Sequence, residues 1–333
     1  TADWYLKNTR DLLLQATIPA SSGYTSAMLN VGSMQNMGYE VTLDLVPVQK
    51  KNFTWNMNFN IAINRNKVTA LTNDQYSLLR SVSWDQRFNA QYPYITQVGK
   101  PSGMMYGFIY EGTYKPEEFN GGTSLKDGIA YMTSVGQDKV RPGDPKYRDI
   151  NKDGLIDDND RTVIGCGQPL HTGGFGNTFN FYGFDLNIFF SWSYGNDVIN
   201  ANRLYFENGS ITNTNQLKSY TKRWTPQNPT SDIPRVGADI ASMFVYSSRV
   251  VEDASFLRLR NVTLGYTLPR KVLRKMNFDT MRFYISGENL WTLTNYSGPD
   301  PEVSTRNSVL TPGFDWSAYP RAMGVTAGLS FTF

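Results

Sequence analysis

Phe53-Thr54-Trp55-Asn56-Met57-Asn58-Phe59-Asn60-Ile61-Ala62-Ile63-Asn64 alternates from end to end. Phe53, Trp55, Met57, Phe59, Ile61 and Ile63 are apolar, and the residues between them are small or polar. Successive side chains on a strand point to opposite faces, so the stretch predicts a β-strand with one greasy and one wet face. The wet face is amide-rich rather than rich in Lys and Glu. A soluble sheet can be two-faced in this way. So can a transmembrane barrel strand, with lipid outside and water in the lumen.

The totals narrow the choice. A chain of 333 residues holds two or three ordinary domains or one large β-structure. Charged residues are 18 %, below the ~25 % of typical soluble domains. No run approaches the ~18–20 apolar residues that a spanning helix needs, which leaves a β-barrel as the membrane-spanning option. Net charge is +3, and the basic runs at 146–148 and 270–275 are short, so they read as solvated charges and no nucleic-acid partner is expected. The single cysteine, Cys166, excludes an intrachain disulfide. The single histidine, His171, excludes a multi-histidine metal site and argues against a histidine-based triad. No signal peptide is present and the chain starts on strand-like sequence, so it reads as a fragment of something longer or a processed piece.

Along the chain, residues 3–15 read as a strand and 16–34, with Pro19, Ser21-Ser22-Gly23 and Gly32, as a loop. Tyr39, Val41, Leu43 and Leu45 alternate with polar residues up to Pro47, and 48–51 turns into the 53–64 strand as a hairpin. A polar loop is expected from 65 to 97, a Gly- and aromatic-rich strand over 103–113, and an irregular stretch over 114–170. Residues 174–181 and 184–192 form a second hairpin across Tyr182-Gly183. After a loop at 195–254, the strand 256–268 changes phase, which a β-bulge near Arg260-Asn261 reconciles. Strands follow at 281–291 and 325–333, separated by a loop at 294–319.

Connections therefore come in two lengths, short turns and long loops. Long structureless loops are uncommon in compact soluble domains, whereas outer-membrane barrels have short periplasmic turns and long extracellular loops. The pattern favours an all-β, antiparallel transmembrane barrel. Counting direction along the chain leaves both 103–113 and 174–181 descending. One ascending strand is then missing, expected at 131–140 or 146–150, for about ten strands in all. Within this frame Phe53, Trp55, Met57, Phe59, Ile61 and Ile63 should face lipid, with Trp55 near the periplasmic interface. Asn56, Asn58, Asn60 and Asn64 should face the lumen.

Residues 149–160 match a calcium-type loop. Asp149, Asn151 and Asp153 stand at positions 1, 3 and 5, and Gly154 at the turn position 6. Leu155 offers its carbonyl at 7, with Asp157 at 9 and Asp160 at 12. Hard cations take six to eight oxygens, and this loop offers five side-chain donors and a carbonyl. Asp160 replaces the longer bidentate Glu, so Mg²⁺ or a weaker Ca²⁺ site also fits. Flanking helices are not evident, and the expected role is to pin a long loop.

Several blocks occur together in order: NMGYEVTLDL (36–45), NFTWNMNFNIAINRNKV (52–68), VGKPSGMMYGFIYEGTY (98–114), GDPKYRDINKDGLIDDNDRTVIG (143–165), FDLNIFFSWSYGN (184–196), RWTPQNPTSDIPR (223–235), FLRLRNVTLGYTLP (256–269), MRFYISGENLWTLTNYSGPDPE (281–302) and YPRAMGVTAGLSFTF (319–333). This order resembles the SusC/RagA family of TonB-dependent outer-membrane transporters over essentially the whole chain. The resemblance implies the C-terminal part of a 22-stranded barrel, residues 1–333, without the plug domain or TonB box. It implies import of large nutrients, oligosaccharides or peptides, across the outer membrane. The partners would be a SusD-like surface lipoprotein and, through the N-terminal part, the TonB complex. Asp149, Asn151, Asp153, Gly154, Asp157 and Asp160 match the family pattern in the calcium-type loop.

Loop aromatics Trp84, Tyr92, Trp224, Tyr296 and Trp316 are candidates to stack on substrate rings, against the plainer reading that they pack the loops. The alternative function is a Ca²⁺-stabilised cell-surface carbohydrate-binding β-protein without transport. An enzyme is not expected. Glu111, Glu117, Glu118 and Glu252 are available, but no motif pairs any two of them at the ~5–10 Å that two-carboxylate chemistry requires.

Overall fold

The 53–64 alternation lies in the middle of an eight-stranded antiparallel meander, in which every strand pairs with its neighbours in the sequence. The strands are β1 (Ala2–Thr9), β2 (Gly32–Lys50), β3 (Phe53–Leu71), β4 (His171–Phe181), β5 (Phe184–Tyr194), β6 (Phe256–Thr267), β7 (Thr280–Thr294) and β8 (Gly324–Thr332). The structure is a computed structural model. It describes residues 1–17, 26–30, 32–71, 75–88, 91–274, 278–305 and 308–333, with side chains omitted for 13–17 and 26–30. Pro19, Ser21-Ser22-Gly23 and Lys275 lie outside the described residues. Among the described residues no helix is long and apolar enough to cross a membrane.

Several expectations are corrected. Among the described residues the main sheet has eight strands, where about ten are expected. Residues 103–113 are not one of them: Met104–Gly107 joins a four-stranded sheet with Ser77–Arg80, Tyr94–Gln97 and Thr162–Cys166, and Tyr110–Thr113 pairs with Pro145–Tyr147. β3 pairs directly with β4, Phe59 opposite Phe175, so no ascending strand is missing between them. The strand at 3–15 is divided, with Leu13–Thr17 forming a separate ribbon with Ser26–Asn30. β2 runs through Pro47, where a register shift between Leu45 and Val48 leaves the proline, which has no N–H, out of the ladder. The expected bulge is present: the partners of Phe189 and Phe190 are Asn261 and Leu259, which leaves Arg260 extra.

One face of the meander is apolar from edge to edge. Register places Trp4 opposite Tyr39, Tyr39 opposite Ile63, Leu43 opposite Phe59 and Phe59 opposite Phe175. It continues with Phe190 opposite Leu259, Leu259 opposite Trp291 and Ile285 opposite Ala327. Trp4, Leu6, Tyr39, Leu43, Leu45, Leu264, Ile285, Trp291, Leu293, Val325 and Leu329 are all exposed on it. Leaving a large apolar side chain in water forgoes about 1.5–3 kcal/mol, so a face of this extent calls for an apolar surround. Rings cluster at the short-turn end, where Trp55 stacks on Phe179 and Phe184 meets both Phe181 and Tyr266. At the other end His171 stacks on Tyr194, and in mid-sheet Phe59 stacks on Trp192. From Phe184 to Tyr194 is ten steps of ~3.3 Å. With a lean of ~40° that spans ~25 Å, the height of a barrel's apolar band. Asn177 lies within this face, where Trp55 Nε1 donates to its Oδ1 at 2.9 Å.

The other face is polar. Asn58 donates to Asp44, Asn64 and Asn66 to Asn36, and Asn187 to Thr178. Arg282 bridges to Asp185 at 2.5 Å across β6. Gly265 lies between them, and a Cβ there would come within 2.4–2.6 Å of both side chains. These pairs link β2 with β3, β4 with β5 and, across β6, β5 with β7 through their side chains.

The long connections leave the same end of the sheet, and those after β3, β5 and β7 fold into a dome with cores of its own. One core gathers Phe88, Tyr94, Met105, Leu204, Tyr246 and Phe314, another Phe108, Phe119, Val140, Tyr147 and Ile156. The buried apolar residues of the chain therefore lie mainly in the loops, while the sheet wears its apolar residues outside.

Candidate functional site

The calcium-type loop is held by its own backbone. Asp149 accepts from the N–H of Lys152 at 2.6 Å and of Gly154 at 2.8 Å. Asn151 accepts from Asp153 N–H, and Asp153 from Leu155 N–H. Asp157 caps the turn Asp158–Asp160 by accepting from Asn159 N–H. Asp160 is fully buried: its Oδ1 takes the N–H of Ile150 and Asn151, and its Oδ2 that of Asp157. Gly154 (φ 85°) and Lys152 (φ 62°) take the left-handed conformation that folds the loop back. Among the described residues no three His, Cys, Asp or Glu side chains are grouped to hold a metal ion. A cation at 149–160 would therefore depend on the Asn151 amide and the Leu155 carbonyl as well as the carboxylates.

The loop forms one wall of a cavity of about 440 Å³, with Tyr92, Tyr106, Ser134, Asp157 and Arg161 among its lining. Leu155–Ile156 pairs in parallel with Tyr131–Met132, which fixes the loop against that wall. Arg161, directly after the loop, lies over the rings of Tyr106 and Phe108 at 5.0 and 5.8 Å. Its Nη2 donates to the Tyr92 carbonyl at 3.0 Å, while Nε is buried without a hydrogen-bond partner. Arg161, Tyr106 and Phe108 were not singled out from the sequence; no spacing marks an arginine that two distant aromatic residues will sandwich.

The aromatic candidates separate. Tyr92 is exposed at the cavity. Trp84 and Trp316 meet, centroids 4.5 Å apart, and both pack on the first dome core. Trp84 also donates to the Tyr246 hydroxyl at 2.7 Å. Tyr296 is buried and donates to Asp315 at 2.5 Å; burial and that carboxylate push its phenol well above the usual range. Trp224 lies against Gly143. Four of the five thus serve loop packing, and they do not converge on one surface.

Three of the four acids have ion-pair partners: Glu111 with Arg148, Glu118 with Lys146 and Glu252 with Arg203. The basic stretch at 146–148 is accordingly paired rather than simply solvated. His171 accepts from Trp192 Nε1 at 3.0 Å and is used structurally.

No family model matches the chain. The TonB-dependent receptor P3 of Formosa agariphila is 32 % identical over 99 % of this chain and 32 % of its own length. SusC, a TonB-dependent receptor of Bacteroides thetaiotaomicron, is 27 % identical over 99 % of this chain and 30 % of its own. A structure of the RagAB peptide transporter superposes with a TM-score of 0.79 at 25 % identity, over the whole of this chain and 33 % of that one. The RagAB importer in its open-open state gives 0.75. These relatives are receptors and transporters rather than enzymes. The chain spans about a third of the length of the relatives it matches. A two-faced meander with a dome of loops, and relatives of this kind along its full extent, place the chain in the SusC/RagA family of TonB-dependent receptors.

Proposed function

We propose that the chain is part of the barrel wall of an outer-membrane importer of large nutrients, either oligosaccharides or peptides. The observation that carries this is the sheet itself, exposed and apolar on one face, polar and cross-linked on the other, with every long loop at one end. The polar face would line the passage and the dome would meet cargo. A SusD-like surface lipoprotein would cover the dome, and the TonB complex would supply energy through a part outside this chain. The test is uptake of labelled peptides and oligosaccharides by cells with and without the intact protein. Uptake of one class should be lost without the protein and after proton uncoupling. An intact protein that stays monodisperse in water without detergent, and changes no uptake, favours the surface carbohydrate-binding reading instead.

The loop 149–160 is proposed to bind Ca²⁺, with Mg²⁺ as the weaker occupant. The donors are all oxygens, which suits a hard cation. Asp149, Asn151, Asp153 and Asp157 would contribute side chains and Leu155 its carbonyl. Asp160, with Oδ1 already taken twice, would contribute at most one oxygen. The cation would pin the wall of the Tyr92 cavity. Ca²⁺ at about 100 times its Kd should stabilise the intact protein by ~2.7 kcal/mol, and chelation should open 145–165 to protease. Asp149→Ala should abolish both responses. Identical melting and cleavage with chelator and with Ca²⁺ would count against the cation.

A further inference from the structure

The charges of the eight-stranded sheet are sorted by sign. Register puts Asp3, Glu40, Asp44, Asp185 and Glu288 on the polar face: Asp3 stands opposite Glu40, Glu40 opposite Ala62, Asp44 opposite Asn58, Asp185 opposite Gly265 and Glu288 opposite Asn261. The positions that continue the apolar face carry only cations, and only at its ends. Lys50, opposite Phe53, marks the short-turn end. Arg65, opposite Met37, and Lys67, opposite Gln35, mark the dome end of β3. Both are exposed, and among the described residues neither has a carboxylate partner. Charges kept only for solubility carry both signs. A rim of one sign calls for a partner of the other.

The rim is layered. Trp4, Tyr39 and Ile63 stand abreast across β1 to β3, and His171 and Tyr194 face each other across β4 and β5. Trp4, Tyr39 and Tyr194 are exposed. Amphipathic rings of this kind sit where hydrocarbon gives way to headgroups. One step outward along the same face stand Leu6, Met37 and Arg65, and a second step gives Asn8, Gln35 and Lys67. The face thus passes from rings to cations and amides within ~13 Å of strand. Arg65 donates from Nη1 to the carbonyls of Leu170 at 2.8 Å and of Asn64 at 3.1 Å. That holds the guanidinium beside the start of β4 and leaves Nε and Nη2 to donate. Val68, next to Lys67, donates its N–H to the carbonyl of Lys100 at 2.9 Å, which brings another exposed cation to this part of the rim.

We propose that Arg65 and Lys67 hold the phosphate of a glycolipid in the leaflet on the dome side. Arg65 Nε and Nη2 form a planar fork that fits two phosphate oxygens, and Lys67 adds a mobile point charge. The acyl chains lie on Trp4, Leu6, Met37 and Tyr39, and the amides of Asn8 and Gln35 meet headgroup hydroxyls. Gln35 donates to Asn8 at 2.9 Å, so the two amides form one patch. A lipid held here fixes the depth of the sheet in the membrane and braces the base of the dome after β3. The inference goes beyond import and rests on that reading only in taking the apolar face to meet lipid.

The test is native mass spectrometry of the intact, detergent-solubilised protein with monophosphoryl lipid A, the same glycolipid without its phosphate, and phosphatidylglycerol. The phosphorylated glycolipid should be retained, and inorganic phosphate at equal concentration should not displace it. Each cation beside an anionic lipid is worth about 5-fold in affinity, so Arg65→Gln combined with Lys67→Gln should bind about 30-fold more weakly. Arg65→Lys combined with Lys67→Arg should restore binding, and Lys50→Gln, at the opposite end, should leave it unchanged. Equal retention of the phosphate-free glycolipid, tighter retention of phosphatidylglycerol, displacement by inorganic phosphate, or a double Gln variant that binds as the parent does overturns the proposal and leaves the barrel standing. A protein that retains no lipid of any kind and stays monodisperse without detergent overturns both.

Discussion

Arg258→Ala is expected to destabilise the intact protein by about 3–5 kcal/mol, the cost of breaking a buried ion pair from one side. Arg258 is 3 % exposed near the dome end of β6, on the polar face. Its Nη2 lies 2.5 Å from Asp300 Oδ1 and its Nη1 3.0 Å from Glu302 Oε2. Removing the guanidinium leaves Asp300 without a side-chain cation, since the side chains of Arg260 and Arg321 pair with Glu302. In the parent, burial pushes the Asp300 carboxyl up. The hydrogen bond from Arg258 and the backbone N–H of Glu302 and Arg321 outweigh it, so the carboxyl sits below its ordinary range. A lowered carboxyl contributes stability above its unfolded value, about pH 4, and loses it as pH falls through the folded value. In the variant burial dominates and the sign reverses: the carboxyl rises, and protonation relieves it. The stability gap between parent and variant should therefore be largest near pH 7 and shrink toward pH 5. Urea unfolding in lipid vesicles at both pH values measures this. A gap under ~1 kcal/mol, or one that widens in acid, contradicts it.

The elements legible in the sequence are those with one apolar face and one polar face. Phe53 to Asn64 alternates because one face of the sheet is apolar and the other polar, and the same holds for Phe184 to Trp192 and for Leu329, Phe331 and their neighbours. Beyond Asn64 the strand leaves the apolar face of the sheet for the loops, where Val68 is buried, so Arg65-Asn66-Lys67 shows no alternation although the ladder continues to Leu71. Met104 and Met105 are adjacent and both buried, because the dome covers their strand on both sides. Residues 103–113 are as apolar as a barrel strand, and counting them as one is what makes a strand before residue 174 look missing. The bulge at Arg260 was legible because it shifts the apolar phase. The run through Pro47 was not, because a proline in a bulge leaves the same trace as a strand end. The oxygen-rich loop could be read because its donors are contiguous. The contact of Asn200 with Glu252 and Ser297 could not: Glu252 lies 52 residues away in the same connection and Ser297 in the one after β7, and nothing in the local sequence of any one reports the others.

Phe59→Arg tests which solvent each face of the sheet meets. Phe59 is central in β3, between Leu43 on β2 and Phe175 on β4, with its ring against Trp192. If that face meets lipid, an arginine near mid-depth costs ~2–4 kcal/mol. The adjacent Asn58→Arg points the same charge to the other face, beside Asp44, to which Asn58 donates at 2.5 Å. There the guanidinium finds water and a carboxylate, and the change should be within ~0.5 kcal/mol of neutral. The contrast between neighbours separates lipid from lumen with one residue type, so helix or strand propensity and side-chain size cancel. Assembly into the outer membrane, followed by the heat-dependent mobility shift of folded barrels, reads it directly. Phe59→Arg should accumulate unassembled protein while Asn58→Arg assembles as the parent does. The reverse order would place the apolar face inside and remove the barrel. Equal tolerance of both would mean that this face meets water, as it would in a soluble two-faced sheet.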